Sequence, residues 1–302
     1  MCGPQLKRSL GLTLVISLAL ALIVMPSSAP GARATVSGRN GRIAFTRYKI
    51  LANSGDIYTI NPNGTGIERL TDNGTAGFPA WSPGGRSIVY TGPGRGNLGG
   101  GALWIMNADG SGARPITHPG RAVDLRAAWG PKGARIAFDR LLGPADLWIV
   151  NVDGTGARRL RRDGMDPTWS PDGRWIAYTG SNGIWVVRPN GRDAHRVGPA
   201  QSATDPSWSP NGTWIAFTID RQIRALNLRT HRVRRLTSGA SDEMPAWAPD
   251  GTRIAFARST RRPNGALTPS KIWTIGLNAK GARQVSWLAH WSDWMPDWQS
   301  LP

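Results

Sequence analysis

The stretch Trp169-Ser170-Pro171-Asp172-Gly173-Arg174-Trp175-Ile176-Ala177-Tyr178 reads as the join between two β-strands. Pro fixes φ and Asp-Gly suits a tight turn, so Ser170 to Gly173 ends one strand and starts the next. Five other segments carry the same second half: Gly41 to Phe45, Gly85 to Tyr90, Gly133 to Phe138, Gly212 to Phe217 and Gly251 to Phe256. Their shared Ile falls at 43, 88, 136, 176, 215 and 254, with spacings of 45, 48, 40, 39 and 39 residues. That period matches one four-stranded propeller blade per repeat, and leucine-rich and helical solenoid repeats are excluded because no helical spacing appears within it.

Within a repeat the strands follow in order. A Trp-bearing strand A, such as Asp166-Pro-Thr-Trp169, precedes the turn. Strand B is Trp175 to Tyr178 and strand C is Ile184 to Val187. Asn63-Gly64, Asp109-Gly110 and Asp153-Gly154 mark two-residue hairpins into strand D. Strands B and C are apolar on consecutive residues, as expected of sheets covered on both faces. The strand-A Trp falls at 81, 129, 169, 208, 247 and 298. The first strand B has no Trp strand before it, and Trp294 to Trp298 has no strand B after it. The chain is therefore expected to be all-β: a six-bladed β-propeller of four-stranded antiparallel blades, closed by a C-terminal strand in the first blade.

Pro-x-Trp-Ser-Pro-Asp-Gly-x-x-Ile-Ala-Phe, then Ile-Trp-Val and a Gly-x-x-Arg-x-Leu-Thr ending, resembles the repeat of TolB-like (WD-like) β-propellers. Trp169 to Tyr178 and Trp208 to Phe217 carry the pattern best, while Gly130-Pro-Lys-Gly133 departs from it at two positions. The resemblance implies a protein-interaction module of the cell envelope.

The N-terminus has three parts: a basic start with Lys7 and Arg8, an uncharged apolar run from Leu10 to Met25, and the small-residue end Ala32-Arg33-Ala34. These are the parts of a secretory signal peptide. Residues 1–34 are read as that signal and 35–302 as one propeller domain, placing the protein in the periplasm, at the cell surface or outside the cell. Sixteen apolar residues are short of the roughly 20 that span a bilayer, and the alternative is an uncleaved membrane anchor. Removing residues 1–34 also removes Cys2, the only cysteine, and with it any disulfide or thiolate chemistry.

Catalytic signatures are missing. There is no Gly-x-Ser-x-Gly, no His-Glu-x-x-His and no Gly-Lys-Ser/Thr. Gly94-Arg-Gly96-Asn-Leu-Gly99 matches a dinucleotide fingerprint but lies between two strands and opens no helix. The chain is thus expected to be non-enzymatic, with no cofactor beyond a cation that channel acids could hold. The alternatives are a propeller enzyme acting on glycans or lactones at the channel mouth, and a purely structural propeller.

The 37 Lys and Arg against 19 Asp and Glu include Arg69, Arg114, Arg158, Arg159, Arg196, Arg232, Arg234, Arg235 and Arg283, all in strand D. They predict a basic belt on the rim, suited to a solvated surface, an anionic lipid or a cell-wall polymer. With no recognition motif and an export signal, nucleic acid is not expected. Membrane contact is expected only through this rim or an uncleaved N-terminus. The B–C and D–A loops share one face of the disk, with the long ones Lys49 to Gly55, Thr91 to Gly101 and Ser259 to Ser270, and the last loop adds Trp287, Trp291 and Trp294 to it, suited to stacking on sugars or a protein. Counting back from each strand-A Trp, Asp166 and Asp205 lie three residues before, Asp124, Asp242 and Asp293 five before, and Asp297 one before. In an extended strand these positions share one side. The acids are therefore expected to converge on one channel mouth and bind a metal ion or an Arg or Lys side chain of an envelope partner.

Overall fold

The structure is a computed structural model. It describes residues 36–302 apart from 50, 51, 53, 95–100, 200, 201, 240 and 289. Residues 1–34, read above as a signal, lie outside the described residues, as do parts of the segments 49–55 and 91–101.

Six antiparallel sheets of four strands each make six blades. Blade 4 shows the unit: strand A Met165–Trp169, B Ile176–Gly180, C Gly183–Val187 and D His195–Arg196. Blade 1 is built from both ends of the described chain. Arg39–Lys49, Ser54–Ile60 and Glu68–Arg69 are its strands B, C and D, and Ser292–Leu301 is its strand A. Ile43 pairs with Trp298 and Tyr48 with Ser292, so the ring closes through the C-terminal strand. Closure removes the free edges that an open sheet would present.

The Ile-Ala-aromatic triplet of strand B explains how blades stack. Alternate residues of a strand face opposite ways. Ile176 and Tyr178 of blade 4 pack with Ala137 of blade 3, while Ala177 packs with Ile215 and Phe217 of blade 5. Each Ala thus opens the space that the next blade's Ile and aromatic ring fill, and one buried cluster forms at every blade seam. The strand-A Trp wedges into the same seam. Trp129, Trp169 and Trp247 donate their indole N–H to the carbonyls of Ala80, Ala128 and Ser207 on the preceding blade, at 3.1, 3.2 and 3.1 Å.

The Ser-Pro-Asp-Gly turn behaves as its sequence dictates. Gly173 sits at φ +70°, and its N–H bonds the Ser170 carbonyl at 2.9 Å. A β-carbon at that φ is strained, which is why Gly recurs there. The strand-D arginines lie on the outermost strands, and most are exposed.

One feature of strand A departs from the sequence reading. Three residues before each Trp the backbone turns left-handed, with φ between 52° and 59° at Phe78, Arg126, Asp166, Asp205, Met244 and Met295. The pairing register slips at this point in every blade. A bulge of this kind breaks the two-residue alternation. Acids one, three and five residues before the Trp therefore do not share a side.

Candidate channel site

The acids at the fifth position before the Trp are ion-paired within their own blades. Asp124 accepts from Arg140 at 2.6 and 2.8 Å, Asp242 from Arg258 at 2.5 and 2.9 Å, and Asp293 from Arg47 at 2.7 and 2.9 Å. All three carboxylates are fully buried. Each guanidinium also lies over two rings: Arg140 over Phe138 and Trp148, Arg258 over Phe256 and Trp273, and Arg47 over Phe45 and Tyr58. Blades 2, 4 and 5 carry Ala76, Gly164 and Ala203 in place of the Asp, and Gly92, Gly180 and Ile219 in place of the Arg. Acid and base occur together or not at all, which marks a structural pair. The sequence held the signal in Ile-Ala-Phe-x-Arg, at Arg47, Arg140 and Arg258. These three Asp are spent on the blade, and Asp297 likewise accepts the backbone N–H of Trp81 on blade 2 at 2.7 Å.

The acids at the third position meet different surroundings. Asp166 and Asp205 are both fully buried. Arg126 of blade 3 lies 2.8 Å from Asp139 and 3.5 Å from Asp166, and its guanidinium packs 5.6 Å from the centre of the Phe78 ring. Asp139 also accepts the backbone N–H of Asp166 at 2.9 Å. Asp139 stands where four other blades carry Thr46, Thr91, Thr179 and Thr218. In two of these the hydroxyl does the same service: Thr46 takes the N–H of Phe78 at 3.0 Å and Thr218 that of Met244 at 3.2 Å. The extra carboxylate is thus a substitution in the repeat, and sequence reasoning passed it over.

One guanidinium therefore pairs with two buried carboxyls, Asp139 and Asp166, and its charge is also felt by Asp205. Both carboxyl oxygens of Asp166 and one of Asp205 have no hydrogen-bond partner. Burial pushes the Asp166 carboxyl up to about 6, against the opposing pull of Arg126. Burial, then the charge of Asp166, also raises Asp205, and burial lifts Asp139 well above the ordinary carboxylate range. The cluster has more buried carboxyls than guanidinium groups, and burial favours their protonated forms. Among the described residues no group of three or more His, Cys, Asp or Glu is placed to hold a metal ion.

The aromatic residues do not gather. Trp287 is 66% exposed and stands beside the hairpin turn of blade 1, where a β-carbon on Gly64 would lie 3.4 Å from its indole nitrogen. Trp291 is half-buried, with the Lys49 ammonium 5.9 Å from the centre of its ring. Lys271 donates to the Trp291 carbonyl. Trp294 is a half-buried residue of the closing strand, opposite Thr46.

The family model of the TolB beta propeller domain matches residues 127–289, which run from the strand-A Trp region of blade 3 to the end of blade 6. The chain belongs to that family. A comparison with curated proteins finds no match. Among solved structures, TolB from Acinetobacter baumannii is similar at 17% identity and TM-score 0.72, over 95% of this chain and 71% of that one. The putative TolB from Agrobacterium tumefaciens is similar at 17% identity and TM-score 0.64, over 88% and 100%. The oligogalacturonate lyase from Vibrio parahaemolyticus shares the fold at 13% identity and TM-score 0.55, over 87% and 80%. At these identities the likeness is one of fold.

Proposed function

We propose that this TolB-family propeller is an exported, non-enzymatic binding module of the cell envelope that takes an Arg or Lys side chain of a protein partner at Asp166 and Asp205. The observation that carries the reading is the charge deficit around Arg126: its guanidinium pairs with Asp139 and Asp166 and is felt by Asp205, and three oxygens of Asp166 and Asp205 lack hydrogen bonds. A second cation would complete the set, since a carboxylate beside a guanidinium gains strong, geometrically matched hydrogen bonds. Arg126 shows the chemistry that the cluster accepts. Its side chain is 13% exposed, and an entering cation would reach the acids by exchanging with it. The paired acids Asp124, Asp242 and Asp293 hold the walls in place and take no part in binding.

The test is isothermal titration of the protein lacking residues 1–34 with L-argininamide and with short Arg-containing peptides, followed by capture from envelope extract. Asp166→Asn combined with Asp205→Asn should abolish peptide binding while the propeller stays folded. Binding unchanged in that double variant overturns the reading. The rival is a glycan-acting propeller, favoured by the similarity to the oligogalacturonate lyases, one of which is described in complex with manganese. Release of unsaturated product from oligogalacturonate with manganese present would establish it.

A further inference from the structure

Away from the channel, a cleft of about 450 Å³ opens between the rim of blade 3 and the strand B–C hairpin of blade 4. Arg159, Arg161 and Arg162 form one wall, and Tyr178, Ser181 and Trp185 line the other. Its volume lies in the range of small-ligand pockets, roughly 300–1,000 Å³. Both walls break the repeat, and each break has a structural counterpart elsewhere in the ring that shows what was given up.

The first break is Arg161. After the apolar residue of strand D, four blades carry a hydroxyl that caps a backbone N–H of strand C. Thr71 caps Ile57, Thr117 caps Leu103, Thr237 caps Ile223 and Ser286 caps Ile272, each at 2.9 Å. Blade 3 has Arg161 there, opposite Leu147 in a strand D that runs Arg158–Arg161. The cap has been exchanged for an exposed guanidinium, followed by a second at Arg162. Arg159 is held by Asp146 at 2.9 Å, and no ion pair among the described residues engages Arg161 or Arg162. Asp163 supplies one exposed carboxylate, so the lining stays net positive.

The second break is on blade 4. In blades 3 and 6 a guanidinium covers the strand-C indole, 4.4 Å above Trp148 and 4.9 Å above Trp273. Blade 4 has Gly180 at that position, where a β-carbon would stand 2.5 Å from Cδ1 of Trp185. The Trp185 ring therefore lacks the cation that covers its counterparts. Tyr178 stands where Phe45, Phe138, Phe217 and Phe256 stand in four other blades, which adds a hydroxyl beside Arg161. Blade 2 shares the Gly and the Tyr, as Gly92 and Tyr90. Its neighbouring rim lacks the arginines, however: Thr71 caps a backbone N–H there, and Arg69 is bound to Asp56 at 2.8 Å.

We infer that this cleft binds a small anionic sugar, its carboxylate or phosphate held by Arg161 and Arg162 and its ring laid against Trp185. The lining is rich in hydrogen-bond donors: two guanidinium forks outside any ion pair among the described residues, one of them bonded to the Tyr178 hydroxyl, and a serine hydroxyl. Such a set matches an acceptor-rich anion, and Arg binds planar oxyanions bidentately. Half-buried Trp185, in the cleft lining, supplies the aromatic surface against which a sugar ring packs.

The experiment is isothermal titration of the protein at low salt with D-glucuronate, glucose 6-phosphate, inorganic phosphate and D-glucose. Millimolar or tighter binding of glucuronate or glucose 6-phosphate, with glucose failing, is expected. The preferred probe identifies the oxyanion as carboxylate or phosphate. Arg161→Thr restores the capping hydroxyl of the other blades, so the fold should hold while affinity falls at least tenfold. Tyr178→Phe restores the common residue and should weaken binding by a smaller factor. Inorganic phosphate binding as tightly as glucose 6-phosphate would overturn the sugar assignment. Absence of binding by all four probes, or undiminished binding by a folded Arg161→Thr protein, would overturn the site. Neither variant touches Asp166 or Asp205, so failure here leaves the channel reading standing.

Discussion

Two sets of aspartates occupy strand-A positions two residues apart in the repeat, in different blades, and meet opposite fates. Asp124, Asp242 and Asp293 each find an arginine on the adjacent strand at 2.5–2.9 Å. Asp166 and Asp205 are themselves left-handed bulge residues; Asp166 shares the single Arg126 with Asp139, and Asp205 feels its charge. Both sets are fully buried. What separates them is whether the repeat wrote the base together with the acid. The first set is bound inside the scaffold by one guanidinium each, and the second has fewer guanidinium groups than carboxyls. Buried charges of the first kind break at high cost, and those of the second kind are relieved by removal.

The severest test of the contrast is at the ring seam, where the Asp293–Arg47 pair joins the two ends of the described chain. Deleting residues 292–302 removes that acid, the Trp298 wedge and the whole inner strand of blade 1. Burial of one such Trp is worth roughly 3–5 kcal/mol, against a typical domain stability of about 5–15 kcal/mol. The truncated chain is expected to lose its cooperative thermal transition. A parent-like melting temperature in calorimetry would show that the seam does not carry the fold.

Asp242→Ala comes next in size. It strands Arg258 at a buried site, where loss of one partner typically costs about 3–5 kcal/mol. Asp242→Leu with Arg258→Met should recover most of that loss in a urea titration. Equal losses in the single and the double variant would mean that packing, and not the charge pair, is what the blade needs.

The opposite sign is expected for Asp166→Asn. A carboxyl whose folded pKa is raised binds its proton more tightly folded than unfolded. Its contribution is favourable below the unfolded value of about 3.9 and is lost as pH rises through the folded value of about 6. At about 1.4 kcal/mol per unit, the loss by pH 7 is on the order of 1–3 kcal/mol. The wild-type protein should therefore lose stability relative to Asp166→Asn between pH 4 and pH 7, and the variant should be the more stable at pH 7. A constant difference across that range would place Asp166 with the satisfied acids.

The ring itself was legible because one Ile and one Trp recur at fixed spacing, and an unpaired strand at each end can only pair with the other. Trp298 closing against Ile43 was readable from counting alone. The acids could be located but their sides could not. A strand read as uniformly extended puts positions one, three and five together, and nothing in Asp166-Pro-Thr-Trp169 announces the φ of 59° that reverses the side chain. The arginine partners were equally hidden, because Arg47, Arg140 and Arg258 sit on a different strand and looked like part of a general basic surplus. The departures of Asp139 and Arg161 from the repeat were visible in the letters. Their meaning needed the geometry, since only the structure shows which backbone N–H each repeat position serves.

The smallest expected effect is the most discriminating. Asp139→Thr writes the common residue of the ring back into blade 3. The new hydroxyl should take the N–H of Asp166, as Thr46 takes that of Phe78 at 3.0 Å. A neutral group replaces a carboxyl that burial already holds well above its ordinary range, so the change in stability at pH 7 should stay within about 1 kcal/mol. Arg126, now bonded at 2.8 Å to Asp139, becomes free to serve Asp166 alone. The Asp166 carboxyl should then titrate lower, since a dedicated guanidinium favours its charged form. Carboxyl-carbon NMR across pH 4–8 reads that displacement directly. A loss of several kcal/mol with no displacement at Asp166 would class Asp139 with Asp124, Asp242 and Asp293, as the fourth acid of the scaffold and no part of a binding site.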